Sequence, residues 1–188
     1  MKAKLIWYAL SVLMLSLVLL VVSCGGEEKP PSSPSPNEEA KVKAWVIEIL
    51  LQARFVCDVR EGIGDVHLDL LGGEITRDQA LNIVEEVREE LSRILSKIQS
   101  SSLPSSASYE RDLRDARDSL AESLEWHIAS LESLTTYIEC FQPNVRMPSD
   151  LEEANKHLQK AIEDMNNYHE SFNEAIEKFE QVAERLVA

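Results

Sequence analysis

Residues 151–186 read LEEANKHLQKAIEDMNNYHESFNEAIEKFEQVAERL, and this stretch decides the fold class. Its apolar residues recur in alternating steps of three and four, which places them on one face of an α-helix. Glu152 and Lys156 stand four residues apart outside that face, where they can support a helix as an ion pair. The pattern predicts a long amphipathic helix over residues 150–187. Its apolar positions are Leu151, Ala154, Leu158, Ala161, Met165, Tyr168, Phe172, Ala175, Phe179, Val182 and Leu186.

Three earlier stretches carry an apolar stripe at the same helical spacing and predict helices over residues 37–71, 77–101 and 106–141. The first stripe contains Gly62 and Gly64, each of which costs a helix about 1 kcal/mol relative to alanine. The apolar residues keep their alternating spacing of three and four on both sides of these glycines. We therefore predict one continuous first helix rather than two short ones.

The helix boundaries carry recognisable capping signals. In a capping box, Ser or Thr precedes the helix and Glu or Gln follows three residues later, so that each side chain satisfies a backbone N–H group. Gly72-Gly73 is a suitable C-terminal cap for the first helix, because glycine adopts the left-handed conformation found there. The predicted boxes are Ser35/Glu38, Thr76/Gln79 and Ser149/Glu152.

Four long helices with short connections predict an all-α fold, an elongated antiparallel up-down four-helix bundle over residues 37–188. A dimeric coiled-coil assembly is the alternative. The third and fourth helices should run ~54–57 Å and the second only ~37 Å. We therefore expect the hairpin tip between helices three and four to protrude, unless helix one covers it or the register differs. The candidate partner-contact residues there are Tyr137, Ile138, Phe141, Val145 and Met147.

The first 26 residues have a different character. Lys2 and Lys4 precede an uncharged apolar run from Leu5 to Val22, which ends in small residues. This order is typical of a secretory signal, with a basic start, an apolar helix and a small-residue exit. An uncleaved transmembrane helix is the alternative, since the run lies near the lower limit of about 17–25 residues needed to span a bilayer.

The end of this run, Val21-Val22-Ser23-Cys24, resembles the lipobox of bacterial lipoproteins, in which an aliphatic, a tolerant and a small residue precede cysteine. The resemblance covers residues 1–26 only. It implies that residues 1–23 are a removable signal peptide and that Cys24 becomes a lipidated N-terminus. Two or three acyl chains there would anchor the protein stably. The implied location is a bacterial membrane, facing the periplasm or the exterior. Gly rather than Asp at position 25 would permit transport to the outer membrane of a two-membrane host.

Residues 24–36 contain four prolines and no apolar residue after the cysteine. Such a segment predicts a flexible Pro/Ser-rich tether that lifts the domain up to roughly 35 Å from the bilayer. The formal net charge is −14, and loss of Lys2 and Lys4 with the signal makes the remainder more acidic. An acidic surface repels nucleic acid and anionic lipid, so we expect no nucleic-acid partner.

Two cysteines remain in the domain, Cys57 and Cys140. An even number in an exported domain suggests a disulfide. The simple bundle places them on the order of 30 Å apart, whereas a bridge needs Cα atoms within about 7 Å. Free thiols are therefore slightly favoured over a pair formed by a folded-back first helix.

The polar residues form no recognisable catalytic or metal motif. None of the four histidines follows a Glu by three residues, and the His-Glu-x-x-His pattern is missing. Met165 and His169, four apart on one helix, are weak candidates for a soft metal ion. We predict a non-enzymatic, lipid-anchored bundle without a cofactor, acting as a structural or partner-binding module. A small-ligand or metal-binding bundle, with Gln52 as a further handle, is the alternative.

Overall fold

The computed structural model describes residues 35–106, 108–140 and 148–186, without the side chains of residues 55, 57–65 and 148–151. All regular structure in these ranges is helical, which confirms the all-α prediction. The predicted signal peptide, and the predicted tether before Ser35, lie outside the described residues. No helix in the described part is long and apolar enough to cross a membrane. The helices are α1 (Pro36–Gly72), α2 (Arg77–Ser100), α3 (Glu110–Glu139) and α4 (Pro148–Arg185).

The first two helices begin with the predicted capping boxes. At the start of α1, the Ser35 hydroxyl accepts a hydrogen bond from the Glu38 N–H, and the Glu38 carboxylate accepts one from the Ser35 N–H. These bonds lower the pKa of Glu38. Thr76 and Gln79 form the same reciprocal pair at the start of α2. Both starts follow from chemistry within three residues of the chain.

The prediction of one continuous first helix is confirmed, since α1 runs unbroken for 37 residues through Gly62 and Gly64. It ends at Gly73, whose φ of 76° lies in the left-handed region that favours glycine. The N–H groups of Gly73 and Glu74 bond to the carbonyls of Leu70 and Asp69, which satisfies groups that the helix end leaves open.

Two predicted starts differ from the structure. The third helix begins at Glu110 rather than 106, because the Ser106 carbonyl accepts hydrogen bonds from the Tyr109 and Glu110 N–H groups and so forms a turn just before the helix. The fourth helix begins at Pro148, so the predicted cap Ser149 lies inside the helix. Proline is favoured at a first helical position because that position needs no N–H donor.

Helices α3 and α4 pack closely and run in opposite directions. The Ser119 hydroxyl accepts a 2.7 Å hydrogen bond from Lys178 Nζ, and Ser130 Oγ donates a 2.9 Å bond to the Ala161 carbonyl. Residue numbers rise along one helix as they fall along the other, which defines the antiparallel direction. A serine can reach a backbone carbonyl across the interface because small side chains let the two helices approach.

Side-chain contacts also join the other helices. Arg88 and Gln99 of α2 meet Glu132 and Glu125 of α3, at 3.7 and 3.1 Å, so these helices are antiparallel too. Helix α1 contacts each of the other three helices through one pair of side chains. They are Glu48 with Lys97 of α2 (3.7 Å), His67 with Tyr137 of α3 (5.4 Å between rings) and Trp45 with Phe179 of α4 (6.3 Å between rings).

The predicted apolar stripes supply most of one shared core. Burying a Leu, Ile, Val or Phe side chain contributes about 1.5–3 kcal/mol, so these residues hold the helices together. On α4, the predicted ion pair between Glu152 and Lys156 forms at 3.6 Å, outside the core face. The large, fully buried apolar side chains include Leu50, Leu91, Ile98, Leu113, Leu120, Leu124, Leu131, Ile138 and Phe179.

Candidate functional site

A row of polar residues lies in the core on the α4-facing side of α3. Ser119, Ser123, His127 and Ser130 are all buried, at spacings of four, four and three residues. Lys178 donates to Ser119, while Ser123 Oγ donates to the Leu120 carbonyl of its own helix at 2.7 Å. The sequence carries a signal for this row, a second stripe at helical spacing, but polar residues at that spacing do not by themselves indicate burial.

The centre of this row is an aromatic cluster. The His127 and Tyr168 rings lie 4.7 Å apart between centroids, and both residues are buried. Tyr168 also contacts Phe172 at 5.5 Å and His169 at 5.2 Å. Tilted ring pairs at these distances are stabilising, by about 0.5–1.5 kcal/mol beyond the area that they bury. Within this cluster, the His127–Tyr168 contact joins α3 to α4.

A carboxylate lies one turn away from Tyr168. Asp164 is 1% exposed, and its Oδ1 atom accepts a 2.7 Å hydrogen bond from Lys160 Nζ. This bond raises the pKa of Lys160. A buried carboxylate requires such a partner, because removing an unpaired charge from water costs several kcal/mol. The Lys160–Asp164 pair accounts for the buried charge locally, and we assign it a structural role.

The weak metal candidates occupy two different environments. Met165 packs against the core, and the ring of His169 lies beside Tyr168. Another histidine of the same helix, His157, lies 3.5 Å from Glu153, and Gln52 is half-buried on α1. In the part of the chain that the structure describes, no group of three or more His, Cys, Asp or Glu side chains is arranged to hold a metal ion.

The predicted protruding tip is wrong for two of its five residues. Tyr137 and Ile138 are buried, at 6% and 0% exposure. The reason is that α1 extends to the same level as the end of α3, where the His67 ring packs on Tyr137. Burial also raises the pKa of Tyr137. The other three members of the predicted tip, Phe141, Val145 and Met147, lie outside the described residues.

Cys140 is a free, half-buried cysteine just after α3. It lies three residues beyond Tyr137, which touches His67, whereas Cys57 lies ten residues before His67 on α1. Ten residues of helix place Cys57 ~15 Å from His67 along α1, whereas Cys140 lies within one helical turn of Tyr137. The side chain of Cys57, like the predicted lipidation site Cys24, lies outside the described residues. The register favours two thiols over a disulfide.

An exposed apolar surface occurs at the end of α1. Leu68 and Leu71 are 64% and 53% exposed, and their spacing of three residues makes them neighbours on the helix surface. We name these two residues the leucine pair. Sequence reasoning missed it because both residues lie outside the stripe that contains Val66 and Leu70. Apolar residues outside the core stripe were the signal that could have found them.

No protein-family model matches this chain, and neither the curated proteins nor the solved structures contain a significant match. The class of protein is thus defined by the fold alone, an all-helical domain with a polar row inside its core. The leucine pair is the surface feature on which we base a function, because the polar row lies inside the core and is closed to a partner.

Proposed function

We propose that this chain is a lipid-anchored, extracytoplasmic helical-bundle protein of a bacterial membrane, and that it acts as a non-enzymatic structural or partner-binding module. The anchor in this proposal is Cys24, preceded by the lipobox-like Val21-Val22-Ser23. The proline-rich residues 25–34 would then connect the lipid to the first helix, which starts directly after Ser35.

We further propose that the four helices form one up-down bundle. The antiparallel contacts between α2 and α3, and between α3 and α4, support it. So does the α1–α2 connection, which is only four residues long, because a short connection makes neighbouring helices antiparallel. The contacts from α1 to both α3 and α4 are those expected when the first helix closes a bundle.

The observation that carries the partner-binding role is the position of the leucine pair. Leu68 and Leu71 lie about 50 Å along α1 from its first residue, at a rise of 1.5 Å per residue. A tethered domain would therefore present them at its end away from the membrane. Exposed neighbouring apolar residues at such an end favour a contact with another protein.

Site-specific photo-crosslinking in intact cells tests this role. A crosslinking amino acid replaces Leu71 in one strain and Ile162 in a control strain, since Ile162 is equally exposed, at 54%, on a different helix. We expect a discrete protein adduct from position 71 and none from position 162. The adduct should disappear when the leader is exchanged for one that lacks the lipobox cysteine. A position-71 probe that yields no adduct contradicts the partner-binding role.

A further inference from the structure

We propose that the leucine pair receives a cationic amphipathic segment of a protein partner, in which apolar residues are flanked by Lys or Arg. This inference rests on the proposed partner-binding function and specifies the chemistry of the partner. Leu68 and Leu71 supply the apolar contact, and the carboxylates around the same end of the domain select the charge.

The charges at this end are unbalanced. Asp69, Glu74, Asp78 and Glu139 form no ion pair with any side chain that the structure describes. Three of them are exposed and Asp69 is partly buried. The last turns of α1 and α3, which both end here, contain no basic residue. The described residues at the end of the domain that carries the leucine pair are therefore predominantly acidic.

The carboxylates belong to the same end of the domain as the leucine pair. Asp69 lies between the two leucines in sequence, and Glu74 and Asp78 lie on the connection to α2 and on its first turn. The contact between His67 and Tyr137 brings the end of α3, with Glu139, to this level. Three helices and one connection thus contribute acidic groups to one end.

The neighbouring cations do not neutralise this end. Lys156 on α4 is engaged by Glu152 and Glu153, each at 3.6 Å. Arg77 adjoins Asp78 in sequence, but it forms no ion pair with another described side chain and its Nε atom is buried. Among the residues that the structure describes, one guanidinium and four carboxylates remain without an ion pair at this end, which is therefore net negative.

The charge distribution favours a cationic partner over the other occupants of an apolar surface. A second copy of this chain would bring four like charges against four, which is repulsive at short range. An anionic lipid surface would be repelled in the same way. A segment with Lys or Arg beside apolar residues would instead gain both the apolar contact and the charge attraction. The apolar contact would slow dissociation, and the charges would accelerate association.

Two helical peptides with the same apolar residues, one flanked by lysines and one by glutamates, test the inference. They are titrated against the full-length anchored protein in neutral detergent by fluorescence anisotropy, at low and high salt. We expect the lysine peptide alone to bind, and about tenfold weaker binding after Leu71→Ser, which removes a buried leucine contact. Ile162→Ser, the matched control, should leave binding unchanged. Glu74→Gln with Asp78→Asn should weaken binding about threefold at low salt and little at high salt, because salt screens exposed charges.

Several outcomes overturn the inference. They are equal binding of both peptides, no binding of the lysine peptide, or lysine-peptide binding that survives Leu71→Ser. A dimer that Leu71→Ser abolishes would assign the surface to a second copy and also reject the cationic partner. The photo-crosslinking experiment distinguishes a failure of the proposed partner chemistry from a failure of partner binding itself. An adduct from position 71 together with a failed peptide test rejects the partner chemistry alone, whereas a missing adduct rejects partner binding itself.

Discussion

Ser130 of α3 donates a 2.9 Å hydrogen bond from its hydroxyl to the backbone carbonyl of Ala161 on α4. The two residues are 31 positions apart in sequence, and both are buried. A side chain as short as serine reaches a neighbouring helix backbone only where small residues line the interface. The bond therefore marks a close approach of α3 and α4.

Replacing Ser130 tests the importance of this approach. Ser130→Ala should lower the free energy of unfolding by about 1 kcal/mol, the usual net value of an internal hydrogen bond. Ser130→Leu should cost about 1–3 kcal/mol, since the larger side chain overpacks the interface. Urea denaturation followed by circular dichroism measures both values.

Ser92→Ala is the matched control for Ser130. The Ser92 hydroxyl bonds to the Arg88 carbonyl of its own helix, at 2.8 Å. Its removal should have little effect or a small stabilising one, because alanine has the higher helix propensity. Equal losses of unfolding free energy for Ser92→Ala and Ser130→Ala would show that the bond between the helices contributes no more stability than a bond within one helix.

Arg185 near the end of α4 joins that helix to the start of α3. Its guanidinium forms a 2.6 Å ion pair with Asp112, donates to the Ser108 carbonyl at 3.1 Å and lies 4.9 Å from the centre of the Tyr109 ring. Arg185→Ala should cost about 1 kcal/mol, because three partly exposed contacts are lost together. Amide hydrogen exchange should accelerate in the last turns of α4.

Arg114→Ala provides the comparison for Arg185. Arg114 pairs with Glu110 at 2.7 Å, four residues away on its own exposed helix face. Such a pair contributes roughly 0.3–0.5 kcal/mol. An Arg185 variant that unfolds like the Arg114 variant, without faster exchange in α4, would mean that this contact set does not hold the helix end.

Tyr137 makes the fold sensitive to alkaline pH. Burial raises the pKa of its phenol above the unfolded value of about 10. The stability that this group contributes is therefore fully present below about pH 10 and is lost as the pH rises through the raised folded pKa. Tyr137→Phe should flatten the decline of the urea midpoint above about pH 10. An unchanged decline in the variant would show that Tyr137 ionises as readily in the fold as in the unfolded chain.

The two cysteines of the domain should remain reduced in the anchored protein. Because Cys57 lies ~15 Å along α1 from the His67–Tyr137 contact that adjoins Cys140, a disulfide would require a shift of the helices. Alkylation in denaturant without prior reduction should label both Cys57 and Cys140, as counted by peptide mass spectrometry. Labelling that appears only after reduction would identify a disulfide and contradict this register.

Local features of the fold were predictable from the sequence. The alignment of one helix against another was harder to predict. Ser35 with Glu38, and Thr76 with Gln79, mark helix starts through contacts within three residues, which sequence spacing specifies. The left-handed Gly73 is equally local. The start of α3 was predicted too early because the turn before it is joined to α4, through the Tyr109 hydroxyl and the Arg185 carbonyl.

The prediction of a protruding tip was wrong because it, too, depends on contacts between helices. Helix lengths alone suggested that Tyr137 and Ile138 would protrude, but their burial depends on where α1 ends relative to α3. That alignment comes from tertiary packing, such as the His67–Tyr137 contact, and no spacing in the sequence encodes it. The leucine pair was missed because a core stripe predicts which residues are buried, while surface apolar residues become visible only once the core is assigned.

The intact mass of the protein extracted from its own membrane tests the proposed anchor, on which the whole account depends, most directly. Our account predicts a chain that begins at Cys24 and carries two or three acyl chains. Mutation of Cys24 to Ser should abolish the lipid mass and the processing. A full-length, unlipidated mass would contradict the account, because residues 5–22 would then be retained in the mature protein and the resemblance to a lipobox would have no chemical consequence.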